Sequence, residues 1–376
     1  MGGPLEGFRV IDVCRYGPGR WASGLLSDYG ADVISVIEPG FSGRSSGQMS
    51  KGQVRVPSTP RNRRSLFLNL RAEGAKDVFY RLVKMSHAVL ESNRPGVAQR
   101  LGVDYESVRV VKPDIVYCSL AGYGQDGPYR LLAGHDINYQ AIGGMVPQGR
   151  DGRPIIPHYN DSDNNVAWNG TIALLMGLLH HTRTGQGQFI DVAFSDSAIR
   201  LPPGGEVRGD YPGYNIYECK DGEYISLGTI EPWFWERLCQ VMGREDLTPH
   251  QRPEGDLGKE VMAYFRETFK TKTQAEWFKF LSEADMEVAP IHRTTKAVVN
   301  DPHNRARSII LEVEDQATGE KHPQAGFALK FSDTPATLRW GTTPEGGHTR
   351  EVLGELGYSD TEVAQLAEKG ITRLVN

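Results

Sequence analysis

Short, almost wholly apolar runs alternate with segments of helical periodicity through the first half of the chain, and this alternation most narrows what it can fold into. Phe8-Arg9-Val10-Ile11-Asp12-Val13, a glycine turn at Gly17-Pro18-Gly19, a helix near Trp21 to Tyr29 and Asp32-Val33-Ile34-Ser35-Val36-Ile37 read as one strand–helix–strand unit. A helical stretch from Ala72 to Met85 then leads to Ala88-Val89-Leu90-Glu91, and Ile115-Val116-Tyr117-Cys118-Ser119-Leu120 reads as a further buried strand. Strands without polar alternation are covered on both faces, so the pattern predicts an α/β fold with a largely parallel sheet and crossover helices.

With 376 residues the chain is too long for one ordinary domain. Composition shifts around Pro202-Pro203-Gly204-Gly205, and a hairpin at Ile216 to Leu227 precedes amphipathic helices. The expected division is a large domain over 1–205, a smaller α+β domain over 206–325, and a return to the large domain over 326–376. Residues 40–64 have the composition of a surface loop.

A net charge of −5 gives no general attraction to nucleic acid or an anionic membrane. The N-terminal segment lacks a signal-like apolar run and no later run reaches the roughly 18 residues that span a bilayer, so a cytoplasmic protein is expected. Cys14, Cys118, Cys219 and Cys239 have neither disulfide-framework nor metal-ligand spacing, so no metal is expected.

Gly17-Pro18-Gly19 superficially resembles a dinucleotide fingerprint, but Ala22 stands where the third glycine belongs, and a tight turn is the better reading. Gly134-His135-Asp136-Ile137-Asn138-Tyr139 follows the strand ending at Leu120, where functional side chains often lie, although a histidine taken alone is more often structural. Asn160-Asp161-Ser162-Asp163-Asn164-Asn165 precedes a helix expected from Val166 to His181. Such residues cap helices, and the same free amides can stabilise an oxyanion. Glu231 has the position of an ordinary first-turn acid. Arg94 and Arg100, within Ser92 to Arg100, form either a phosphate-binding arrangement or a solvated basic face.

The ordered stretches Pro4-Leu5-Glu6-Gly7-Phe8-Arg9-Val10-Ile11-Asp12, Gly30-Ala31-Asp32-Val33-Ile34, Asn62-Arg63-Arg64-Ser65-Leu66, Arg94-Pro95-Gly96-Val97, Gly122-Tyr123-Gly124-Gln125-Asp126-Gly127-Pro128 and Arg183-Thr184-Gly185-Gln186-Gly187-Gln188 resemble the family III CoA-transferase and 2-methylacyl-CoA racemase superfamily. The resemblance implies a large Rossmann-like domain formed by both ends of the chain with a smaller domain between, an interlocked homodimer and acyl-CoA substrates, with no cofactor beyond the CoA thioester itself. It implies CoA contacts at Leu68, Arg71, Asn93, Arg94, Arg100, Gly134 and Tyr139. One departure is clear: the family often has Glu-Arg-Pro after the second strand, whereas this chain has Ile37-Glu38-Pro39, with Arg or Lys of the 40–64 loop as the expected substitute.

The resemblance further implies that His135 and Asp163 are the proton-transfer pair of a racemase or epimerase, with Glu231 holding His135. Asp161 is the alternative should the alignment slip by two residues. In a CoA transferase the same aspartate is the covalent nucleophile. Asn300-Asp301-Pro302-His303 and Leu329 to Pro335 resemble transferase segments at least as well, and Asn164-Asn165-Val166-Ala167-Trp168 replaces a racemase's glycine-rich stretch, so a smaller or more polar acyl pocket is expected.

Overall fold

The computed structural model describes residues 2–15, 17–39, 61–149, 151–201, 203 and 211–375. The 40–60 part of the expected loop, with its substitute cations, and Gly204-Gly205 lie outside them. Two compact units emerge: residues 1–147, 154–205 and 306–376 form the first, residues 148–153 and 206–305 the second.

The first unit is built on a six-stranded sheet of β1 (Arg9–Asp12), β2 (Asp32–Ile37), β3 (Arg64–Phe67), β4 (Ala88–Glu91), β5 (Val116–Ala121) and β6 (Gln188–Ala193). All neighbours run parallel in the order β3-β2-β1-β4-β5-β6, the arrangement of doubly wound nucleotide-binding folds. Strand order reverses between β1 and β4, which opens a crevice at the carboxyl ends of those strands.

Successive strand residues feed opposite faces. Ile11, Ile34, Leu66 and Val89 pack with Val78, Phe79 and Leu82 of α2 (Ala75–Lys84) and with Val352 and Leu353 of the C-terminal helix Thr349–Glu355. Val10, Val33, Leu90 and Cys118 pack with Ala22 and Leu26 of α1 (Gly17–Asp28) and with Val166, Leu174 and Leu178 of a long helix described below. Both faces are thus covered, as the continuous apolar runs require.

Gly17-Pro18-Gly19 is the first turn of α1 rather than a turn preceding it. Proline costs little there because the first amides of a helix have no internal acceptor. Gly19 is needed for close approach, since a Cβ would lie 2.4 Å from the Cys14 sulfur.

Short helices α3 (Val97–Leu101) and α4 (Tyr105–Val111) follow β4. Helix α5 (Asp136–Gly143) follows β5, and α6 (Asp161–Thr184) precedes β6, which runs into α7 (Phe194–Ser197). The strand pair Ile310–Glu314 and Lys321–Ala325 falls within the first unit, where Arg61 donates to the Ala325 carbonyl at 2.6 Å.

In the second unit, β7 (Tyr214–Glu218), β8 (Tyr224–Gly228) and β9 (Val288–Pro290) form an antiparallel sheet. It packs with α8 (Pro232–Val241), α9 (Gly255–Phe269) and α10 (Gln274–Glu283) around Tyr217, Trp235, Phe265, Phe269 and Trp277. Among the described residues no helix is long and apolar enough to cross a membrane. All four cysteines are buried free thiols.

Candidate active site

Two features lie at the carboxyl edge of the large sheet: a cavity beside β1 to β4, and a polar junction where α5 meets the start of α6. The cavity is open to solvent and is lined by the residues that follow β1 (Cys14, Arg15), β2 (Glu38), β3 (Leu68, Arg71) and β4 (Asn93). Leu68, Arg71 and Asn93, three of the residues expected at a CoA nucleotide, therefore share one hollow. Arg100 lines an adjoining hollow that also includes Arg71. Arg94 is turned elsewhere, donating to the Leu131 carbonyl in the connection ahead of α5.

Asn93 is placed by an acid that sequence reasoning missed. Glu91 ends β4, is almost fully buried, and accepts from both the amide (2.7 Å) and the side chain (2.9 Å) of Asn93. Ser119 donates to its other oxygen, and Gln125 donates to Ser119 at 2.8 Å. Burial pushes the Glu91 carboxyl up, opposed by these hydrogen bonds. The signal was legible as a charge closing an apolar strand, because such a charge must find partners at the sheet edge.

At the junction, His135 is the N-cap residue of α5, in extended backbone with its ring exposed. Its amide donates to Asn138 Oδ1 at 3.0 Å, which fixes the entry to the helix. Gly134 sits beneath Tyr139: a Cβ there would come within 2.7 Å of the Tyr139 ring, and one on Gly122 within 2.7 Å of its hydroxyl. Tyr139 donates to the Gly134 carbonyl at 2.8 Å and packs edge-on against Tyr123 at 5.2 Å between ring centroids. Burial holds its hydroxyl protonated up to about 12, with Tyr123 and Asp163 adding to the effect.

Helix α6 begins at Asp161, ahead of the Val166 start expected from apolar spacing, because its first turn is polar and faces α5. Asn160 occupies the N-cap position without a side-chain cap bond. The cap comes instead from Asp136, whose Oδ1 accepts from the Asp163 amide at 3.1 Å. Buried Gln140 holds the other oxygen of Asp136 at 2.6 Å and donates also to the Tyr159 carbonyl at 3.0 Å.

Asp136 thus brings a negative charge beside Asp163, and nothing in its sequence position revealed that. The Asp163 carboxyl is raised to about 6, first by burial, then by Asp136, with nearby His135 pulling it back down. This rise occurs despite the N-terminal helix position, which favours ionised carboxylates. Asp161, two residues earlier, makes no side-chain hydrogen bond among the described residues. Asn165 donates to the Ser197 carbonyl at 3.0 Å and Asn169 to the Ser197 hydroxyl at 3.0 Å, so these amides anchor α7.

Glu231 belongs to the second unit, where it is the N-cap residue of α8 ahead of Pro232. Its neighbour is Glu287, whose carboxyl is pushed up by burial and by the Glu231 charge.

The CoA-transferase family III model matches residues 5–349. Human alpha-methylacyl-CoA racemase is 32% identical, over 96% of this chain and 96% of its own length. Formyl-CoA:oxalate CoA-transferase of Escherichia coli is 27% identical, over 98% and 99%. A CAIB/BAIF family protein from Brucella suis superposes with a TM-score of 0.79 at 25% identity, covering 95% of this chain and all of that one. A match of this extent, together with the parallel sheet and the acidic start of α6, makes the chain a member of CoA-transferase family III.

Proposed function

We propose that the protein is an acyl-CoA racemase or epimerase that moves a proton at the carbon α to a CoA thioester, with His135 and Asp163 as the acid/base pair. The observation that carries this reading is the Asp163 carboxyl, raised to about 6 beside His135. A group with that proton affinity exchanges a proton readily near neutral pH in either direction, which a two-base racemisation requires.

One group removes the α proton, the amides of Asp161 and Ser162 that open α6 stabilise the enolate oxygen, and the other group returns a proton from the opposite face. No metal or redox cofactor enters this chemistry. Leu68, Arg71, Asn93 and Arg100 would hold the nucleotide, and Arg94, Gly134 and Tyr139 would shape the approach to the proton-transfer pair. Glu231 enters as the residue that orients His135, on the strength of the family resemblance alone. The 32% identity to a racemase supports the reading. A homodimer is part of the proposal, and the apolar residues that α6 leaves exposed, among them Trp168, Ile172, Met176 and Leu179, support it.

The second reading is CoA transfer, supported by the 27% identity to a formyl-CoA:oxalate CoA-transferase. There an ionised Asp163 attacks the donor thioester carbonyl to form a mixed anhydride as the CoA thiolate leaves, and that thiolate then attacks the Asp163 carbonyl to give an enzyme-CoA thioester and release the donor acid. One experiment separates them: the protein is incubated in deuterated water with one stereoisomer of a 2-methylacyl-CoA and no acceptor acid. Deuterium at the α carbon with loss of stereochemical purity, both lost in His135→Ala, is expected. No exchange, with CoA passing to an added carboxylate and hydroxylamine trapping at Asp163, would establish the transferase instead.

A further inference from the structure

Resting on the acyl-CoA reading above, we propose that Glu91 is the positioning residue of the CoA cavity: it fixes the Asn93 carboxamide so that Asn93 Oδ1 is presented as an acceptor to a hydrogen-bond donor of CoA. Asn93 lines that cavity, and among the described residues its Nδ2 donates to Glu91 Oε2 at 2.9 Å while its Oδ1 accepts no hydrogen bond. A carboxamide can turn over and exchange its oxygen for its nitrogen. An ionised carboxylate only accepts, so Glu91 admits one orientation, with the nitrogen held and the oxygen left for the ligand. The Asn93 amide gives the same Glu91 oxygen a second hydrogen bond at 2.7 Å, which ties the backbone as well.

The acid is itself held in one place. Glu91, Ser119 and Asp191 are register partners across β4, β5 and β6. The Asp191 carboxylate accepts from the Gln125 amide at 2.8 Å, the Gln125 side chain donates to Ser119 Oγ at 2.8 Å, and Ser119 gives its own hydrogen to Glu91 Oε1. The row has one direction, because Ser119 Oγ accepts from Gln125 and keeps its hydrogen for Glu91. Strand β4 is otherwise apolar, and a buried carboxylate without such partners would be destabilising. Among the described residues the row ends at Asn93, so Glu91 acts on the binding of CoA through that side chain and not on the proton-transfer pair.

The test is a double-mutant cycle on the full chain, with the dissociation constant of CoA read by titration calorimetry. Glu91→Met removes both acceptor oxygens at similar volume and is expected to weaken CoA about tenfold, as is Asn93→Ala. Glu91→Gln keeps one acceptor for Asn93 and should recover to within about threefold of the wild type. In the Asn93→Ala background, Glu91→Met should change the constant by no more than about twofold, because its effect passes through the side chain already removed. In turnover of an acyl-CoA the Glu91→Met loss should fall on KM, with kcat within about twofold, whereas a loss of folded protein lowers kcat and leaves KM alone. Wild-type affinity in Glu91→Met overturns the inference, and so does an equal loss with and without Asn93. Where Glu91→Met fails to fold, Asn93→Asp decides: it keeps an acceptor oxygen but lacks the N–H that Glu91 holds, so it should bind CoA no better than Asn93→Ala, and binding within about twofold of the wild type overturns the inference. If the wild-type protein does not bind CoA at all, the acyl-CoA reading itself fails, which is a different outcome from binding that is blind to Glu91.

Discussion

Asp163 holds its proton more tightly than a surface aspartate because it is half-buried and because the Asp136 carboxylate lies against its own amide. Asp136→Asn keeps an oxygen for that amide but removes the charge. The apparent pKa governing turnover in the direction where Asp163 is the base should therefore fall by roughly half to one unit. A pH profile of proton exchange checks this, and an unmoved or rising limb would remove Asp136 from the account.

The same group gives a stability signature. Its folded-state pKa, about 6, lies above the ordinary 3.8, so ionisation opposes folding. Asp163→Asn should melt higher than the wild type above pH 6, and the gap should close as pH falls below about 4. The variant should also lose proton exchange by at least about a hundredfold, a combination expected when a functional group is held at the expense of stability.

At the scale of elements, α6 is seated on the sheet by buried Val166, Leu174 and Leu178 and by glycines that allow close approach. A Cβ on Gly177 would approach Val116 Cγ1 to 2.6 Å and Ile190 Cδ1 to 3.0 Å. A helix-interior glycine replaced by alanine ordinarily gains about 1 kcal/mol. Gly177→Ala should instead cost about 1–3 kcal/mol, because the helix must lift from β5 and β6. Urea denaturation followed by circular dichroism measures the sign, and a stabilised variant would refute the close approach. The periodicity of residues 166–181 made this helix legible, but its polar first turn was not. That turn is helical because Asp136 caps it from α5, a partner distant in sequence.

At the scale of the molecule, the basic run at Arg61 to Arg64 joins the two ends of the chain. Arg61 pairs with Asp28 at 2.7 Å, Arg63 with Asp12 at 2.8 Å, and Arg64 with Asp32 at 2.6 Å and Glu351 at 2.8 Å. Arg63 and Asp12 are buried, so Arg63→Ala would strand a carboxylate and should cost about 3–5 kcal/mol. Thermal unfolding would test this. The face of α6 away from the sheet carries Trp168, Ile172, Leu175, Met176 and Leu179, all exposed in the single chain and spaced as one helical stripe. If a second copy covers this stripe, Met176→Glu should shift the protein toward monomer in analytical ultracentrifugation. A wild-type monomer would end the homodimer proposal.

The amino-acid sequence by itself determined the parallel sheet, since strands such as Ala88 to Glu91 and Val116 to Ala121 carry no solvent face and can be satisfied only by helices on both sides. Local pattern alone left His135 and Asp163 as a structural histidine and a capping acid, and it was the resemblance of their motifs to the family that marked them as candidates for proton transfer. What only the tertiary structure decided is how those groups are tuned. Asp136 meets Asp163 across two helices, Glu91 grips Asn93 at the sheet edge, and Glu38 gathers Arg15 and Arg71 from two other connections. Charge and burial act through space, and the spacing of residues along a chain does not record which of them will be neighbours.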